Sequence, residues 1–308
     1  MPVTDRAAAR ARALRSLDGL SVGDSFGEAC LVDTRTLLAR LEHRRLPDPP
    51  WTFSDDTVMA ISVVETLEEH GAIDQDALAR RFGHKLRLDP WRGYGRVTHQ
   101  ILTEIARGGD WRALSAGAFD GAGSMGNGGA MRAGPIGAYF AGDLEMAAGQ
   151  ARLAAAVTHA NVEGQAGAMA VAAAAAWAGG AGADPDALFG TVLDVVPASI
   201  TRDTIERASS IGPDAEVLDV VTQIGNGIRA LAQDTVPFAL WCVRHHLRDY
   251  ESALWTAAAA LGDCDTLCAI VGSIVVMVPG GAEVPEAWRA HREPLTAFTH
   301  LAVPPGGR

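Results

Sequence analysis

The sequence predicts an all-α protein, a single compact domain of many helices spanning residues 1–308 with its core over about 17–280. Three observations predict it. Aromatics make up only 6% of the residues while Ala and Gly abound, and small side chains let helices pack closely. Apolar residues recur at helical spacing between Gly, Pro and Asp punctuation. No run alternates apolar and polar residues as a half-buried strand would, and no glycine fingerprint follows a strand pattern. A chain of 308 residues can bury a sizeable core.

Ala8 to Val22 reads as a first helix ending at Gly23. Leu46-Pro47-Asp48-Pro49-Pro50 is a rigid spacer between helical segments of similar composition, so it marks no domain boundary. Thr57 to His70 places Val58, Ile61, Val64 and Leu67 near helical spacing, and Gly71 ends it. Gln75 to Leu86 follows, then a turn at Asp89-Pro90, a corner at Gly93-Tyr94-Gly95, and a helix from Arg96 to Arg107. Gly121 to Gly129 is a Gly-rich loop that opens into a helix from about Ala130. Leu144 to His159, Glu163 to Trp177, Pro185 to Val195, Asp203 to Ser209 and Asp214 to Ile224 come next. Pro237 to His246, Tyr250 to Leu261 and Thr266 to Val278 complete the series. No internal repeat of fixed period is present.

A net charge of −11 argues against nucleic acid or an anionic membrane surface as a non-specific partner. The Ala-rich run from Ala166 to Ala178 is too short and too weakly apolar to span a bilayer. Met1 to Arg15 is basic and lacks an apolar stretch, so no secretory signal is read. Cys30, Cys242, Cys264 and Cys268 are scattered, as expected of buried, reduced thiols in a cytoplasmic protein. Cys264 and Cys268 could share a helix face but offer too few ligands for a soft metal.

Two acidic clusters carry the chemistry, Ser54-Asp55-Asp56-Thr57 and Asp263-Cys264-Asp265-Thr266. Oxygen-only ligands of this kind suit hard divalent cations such as Mg²⁺ or Mn²⁺. Adjacent carboxylates repel unless a positive charge lies between them, so convergence of the two clusters calls for metal. Either cluster alone also fits a helix cap. The loop from Gly123 to Gly129 presents backbone donors suited to an anion, though a plain connector would look similar. His159, before a small-residue helix, is either a cleft residue or a core one.

Five motifs in order resemble the ADP-ribosylglycohydrolase family. They are Gly19-Leu20-Ser21-Val22-Gly23-Asp24-Ser25-Phe26-Gly27, Ser54 to Thr57, the loop from Gly123 to Arg132, Thr158-His159, and Gly262 to Thr266. Gly93-Tyr94-Gly95 and the stretch from Ile224 to Pro237 match as well. The resemblance implies a binuclear centre of two Mg²⁺ ions, or Mn²⁺, held by Ser54, Asp55 and Asp56 from one side. Asp263, Asp265 and Thr266 would bind from the other side. It further implies that Ser124, Met125, Gly126, Asn127 and Gly128 cradle the diphosphate and ribose of the substrate, with His159 lining the same cleft.

The implied reaction is hydrolysis of the bond at the ribose anomeric carbon of an ADP-ribosylated protein or an ADP-ribose conjugate. Glu28 is the candidate acid/base, and Asp56 the alternative base. Many relatives carry Glu four residues after the glycine matching Gly27, where this chain has Leu31. Some carry an aromatic where it has Met125, whose thioether packs more loosely. Asp24 is expected to shape the first loop. Competing readings are a non-catalytic ADP-ribose-binding module, a structural protein that has reused the fold, and a metal-dependent phosphoesterase.

Overall fold

Gly19, Gly23 and Gly27 lie four residues apart, which places them on one face of a helix. In the computed structural model, which describes residues 5–180 and 183–301, they lie on a single long helix, α1 (Arg6–Ala29). The expected stop at Gly23 is therefore corrected. A Cβ on Gly23 would come within 2.2 Å of the Cys268 carbonyl oxygen, and one on Gly27 within 2.3 Å of that of Cys264. The glycines let two backbones touch, and that contact outweighs their poor helix propensity. Residues 1–4 and 302–308 of the expected domain, with the start of the Met1 to Arg15 stretch, lie outside the described residues.

The remaining helices run in chain order. The first half comprises α2 (Thr34–His43), α3 (Asp55–His70), α4 (Gln75–Leu88), α5 (Arg96–Ala106), α6 (Trp111–Gly117), α7 (Gly134–Tyr139) and α8 (Leu144–Ala156). The second half comprises α9 (Val162–Ala178), α10 (Leu188–Leu193), α11 (Ile200–Ser209), α12 (Val217–Ile224), α13 (Ala232–His245), α14 (Tyr250–Ala258), α15 (Cys264–Val275) and α16 (Glu286–His291). Among the described residues there is no strand, only isolated bridges at Trp51–Arg292 and Gly126–Leu231. The fold is all-α, as expected.

Helices α1 and α15 form the central pair, and α3, α7, α9, α13 and α14 pack around them. α9 is buried on nearly every side, which its run of alanines permits because none projects far. An aromatic cluster of Phe26, Trp51, Trp255 and Trp288 closes one end, with ring centroids 4.6–6.2 Å apart. All four cysteines are free and buried. No helix among the described residues is long and apolar enough to cross a membrane.

Three helices went unanticipated. α2 buries only Leu37, so it carries no apolar stripe to read; α6 and α16 are short. The helix expected from about Ala130 is also corrected. Asn127–Gly129 form one 3-10 turn, and α7 begins only at Gly134, with Pro135 in its first turn, where a missing N–H costs nothing. α13 begins ahead of Pro237 and takes that proline inside the helix.

Candidate functional site

The site begins with two helix starts. Ser54 caps α3, its hydroxyl accepting from the Asp56 N–H at 3.1 Å. Asp55 and Asp56 occupy the first turn, where free N–H groups favour negative charge. The expected cap is present, and it leaves the Asp55 and Asp56 side chains free to line a cavity. Asp263 stands at the N-cap of α15 without a side-chain cap bond, and Asp265 lies in its first turn. Asp55, Asp56, Asp263, Asp265 and Thr266 all line one cavity of about 540 Å³. The clusters converge.

Asp24 explains how the first cluster is held. It lies fully buried on α1, not in a loop as expected, because the motif around it is helical. Its carboxylate accepts from the Ser54 N–H at 3.1 Å, the Thr57 N–H at 3.0 Å and the Thr57 hydroxyl at 2.5 Å. Those are orphan donors at the start of α3, satisfied from beneath. The second cluster is tied differently. Asn127 Nδ2 donates to Asp263 Oδ2 at 2.6 Å and to Thr235 Oγ1 at 3.0 Å, while the Asp263 N–H donates to the Asn226 carbonyl at 3.1 Å.

So many carboxylates in one place resist ionisation. Burial, then the charge of Asp265, pushes Asp263 up to about 8. Burial first, opposed by the Thr57 hydrogen bond and reinforced by Asp265, takes Asp24 to about 7. Burial and the neighbouring carboxylates raise Asp55 and Asp56 well above the usual range. Asp56 Oδ2 and Asp265 Oδ1 are buried and have no hydrogen-bond partner among the described residues. Unpaired oxygens facing like charge are what a hard cation would relieve. Among the described residues, however, no three or more His, Cys, Asp or Glu side chains form a ready-made metal cluster. The donor chemistry nevertheless fits a divalent ion.

The loop lines the opposite wall through Ser124, Met125, Gly126, Asn127 and Gly128. Two of its N–H groups are already used, Gly126 on Ser124 Oγ and Asn127 on the Ala230 carbonyl. Those of Ser124, Met125 and Gly128 have no acceptor among the described residues. The expected cradle is thus partial, and no α-helix N-terminus stands behind it. Gly126 and Gly128 pack tightly on His159: a Cβ on either would lie 3.0 Å from His159 Nε2. His159 lies in the cavity wall and is buried.

Glu28 lies half-buried at the last turn of α1, and burial, then the Asp265 charge, raises its pKa. Neither Glu28 nor Ser54 is among the cavity-lining residues. Leu31, at the position where many relatives carry Glu, is exposed beyond the helix end.

Sequence reasoning missed four residues here. Arg96, Arg229 and Phe119 line the cavity, and Phe119 presents an exposed ring from a backbone of positive φ. Arg132 is fully buried behind the wall, its guanidinium 4.7 Å over the Phe82 ring. The sequence shows an Arg at the end of the Gly-rich motif but carries no local signal of its burial.

A family model described as ADP-ribosylglycohydrolase matches residues 5–303, extending past both ends of the stretch that the motifs cover. ADP-ribosylhydrolase ARH3 of mouse is 29% identical over 319 residues, 89% of this chain and 85% of that protein. The human protein of the same name is also 29% identical, covering 89% and 86%. An uncharacterized protein of Archaeoglobus fulgidus is 30% identical over 88% of each chain. A solved structure titled "ADP-ribosylglycohydrolase-related protein complex" superposes with a TM-score of 0.67 over 93% of both chains at 24% identity. That last likeness bears on the fold alone.

Proposed function

The chain belongs to the ADP-ribosylglycohydrolase family, and from that premise we propose that it hydrolyses the bond joining ADP-ribose to a protein side chain or a related acceptor. The observation that carries the reading is the convergence of two distant acidic helix starts on one cavity, facing a Gly-rich loop. Asp55, Asp56, Asp263, Asp265 and Thr266 would hold two Mg²⁺ ions, or Mn²⁺, with Ser54 at the edge of that set. Such ions supply Lewis-acid charge that orients the ribose hydroxyls and offsets the carboxylates.

The chain's own residues do the rest. The free N–H groups of Ser124, Met125 and Gly128, with the Arg96 cation, would receive the diphosphate; Arg229 lines the same cavity with its guanidinium paired to Asp234 at 3.0 Å. Phe119 offers a flat apolar surface for the base. Met125 lines the same cavity. Glu28, with its raised pKa, stands near Asp265 to exchange a proton at the scissile oxygen or nitrogen, and Asp56 is the base if Glu28 is not. The separation of roles follows environment: the carboxylates lining the cavity would hold metal, and the half-buried Glu28 outside its lining would move protons.

One observation favours a second reading, a non-catalytic ADP-ribose-binding module: the cavity wall does not include Glu28. Release of ADP-ribose from Arg-, Ser- and O-linked ADP-ribosyl substrates, with and without Mg²⁺, separates the two. Mg²⁺-dependent release from one linkage supports the hydrolase. Tight ADP-ribose binding with no release from any linkage supports the module.

A further inference from the structure

We infer that Arg132 and Thr158 are positioning residues that fix His159 in one tautomer, a neutral ring whose Nε2–H is aimed into the cavity beneath Gly126 and Gly128. The role given to that donor rests on ADP-ribose as the ligand; the tautomer itself does not.

A guanidinium only donates hydrogen bonds. Arg132 Nη2 donates to Thr158 Oγ1 at 2.9 Å and to the Ala154 carbonyl at 3.0 Å. Thr158 Oγ1 also lies 2.7 Å from His159 Nδ1. Thr158 is fully buried, and its hydroxyl has no other partner among the described residues. With its oxygen accepting from Arg132, its hydrogen must go to Nδ1. The reverse arrangement, Nδ1–H donating to Thr158, would strand a buried hydroxyl hydrogen, which is costly. Nδ1 therefore accepts, and the single ring proton resides on Nε2.

Nε2 has no hydrogen-bond partner in the chain among the described residues, and it lies under the loop, 3.0 Å from where a Gly126 or Gly128 Cβ would be. Arg132 Nη1 donates to the Gly128 carbonyl at 2.8 Å. One buried side chain thus sets both the loop and the ring beneath it. Arg132 is the charged group directly behind the ring, while Asp55, Asp56, Asp263 and Asp265 share its cavity. Burial, then the Arg132 charge, lowers His159 to about 3. The ring then acts as a neutral donor to a diphosphate oxygen, contributing equally across the physiological pH range and taking no part in proton transfer.

Long-range ¹H–¹⁵N spectra of the ligand-free protein read the tautomer directly. The expected result for His159 is an unprotonated Nδ1 and a protonated Nε2, unchanged from about pH 8 to about pH 5. Thr158→Val keeps the shape and removes the hydroxyl. It should mix the tautomers and weaken ADP-ribose binding about tenfold at a fixed pH. Thr158→Ser should restore both. A protonated Nδ1 in wild type, or a Thr158→Val protein with wild-type affinity, overturns the inference. Failure of Thr158→Ser to rescue does so as well. If wild type binds no ADP-ribose, the donor's role falls with the proposed function, while the tautomer spectrum still decides the relay.

Discussion

The two acidic clusters do the same job on paper but are built differently. Ser54 to Thr57 is held from beneath by a buried carboxylate on a neighbouring helix, with Asp24 satisfying three donors. Asp263 to Thr266 has no such floor and is tied to surrounding loops by Asn127 and Asn226. Both line the cavity; the first is anchored from the core beneath it, and the side chain of Asp263 in the second is anchored from the binding loop. Damage beneath the first should appear as lost stability. Damage around the second should appear as lost affinity with the fold intact.

Asp24→Ala is the strongest way to break the contrast. It leaves buried N–H groups at the start of α3 without an acceptor, at a cost of about 3 kcal/mol, read as a lowered midpoint in urea. A change under about 0.5 kcal/mol would show that the first cluster needs no floor. Glu28→Gln should leave ADP-ribose affinity and melting temperature unchanged and lower turnover about a hundredfold. Wild-type turnover in that variant would make Glu28 a bystander and leave Asp56 as the base.

A third test uses pH on the binding wall. His159 has a folded pKa of about 3 against an ordinary value of 6.5. A depressed histidine contributes fully above its unfolded pKa, and its contribution is lost as pH falls toward the folded one. At about pH 5 the loss reaches about 2 kcal/mol. Comparing wild type with His159→Asn in urea from about pH 7 to about pH 5 isolates it from the carboxylates. An identical slope in the two proteins would contradict a buried neutral ring.

A smaller stability effect than that of Asp24→Ala is expected for Asn127→Ala. It should cost about 1 kcal/mol or less, since Asp263 stays on its helix, yet weaken divalent-ion binding about tenfold or more, as loss of an outer partner does. A stability loss matching that of Asp24→Ala would erase the difference between the clusters.

Much of this was legible in the sequence. Both clusters, the loop and His159 line or adjoin one cavity, because motifs that start helices declare themselves by capping pattern and glycine content. The helix carrying Asp24 was misread because glycines ordinarily end helices. Here Gly19, Gly23 and Gly27 make a seam, and only the partner helix reveals why. α2 was invisible since it buries a single leucine. Arg132 could be located in its motif, but nothing local foretells that a guanidinium will be fully buried and spend its bonds on Gly128 and Thr158. Phe119 joins the wall through a positive-φ turn, a backbone choice that neighbouring residues do not announce.

The two helix starts are proposed to hold divalent ions between them, and calorimetric titration of Mn²⁺ into wild type and Asp265→Asn reads this at the site itself. Wild type should bind saturably at or below millimolar concentration, and the variant should lose one site or both while its helical circular dichroism persists. No binding by wild type at millimolar Mn²⁺ or Mg²⁺, or equal binding by the variant, would refute the metal site.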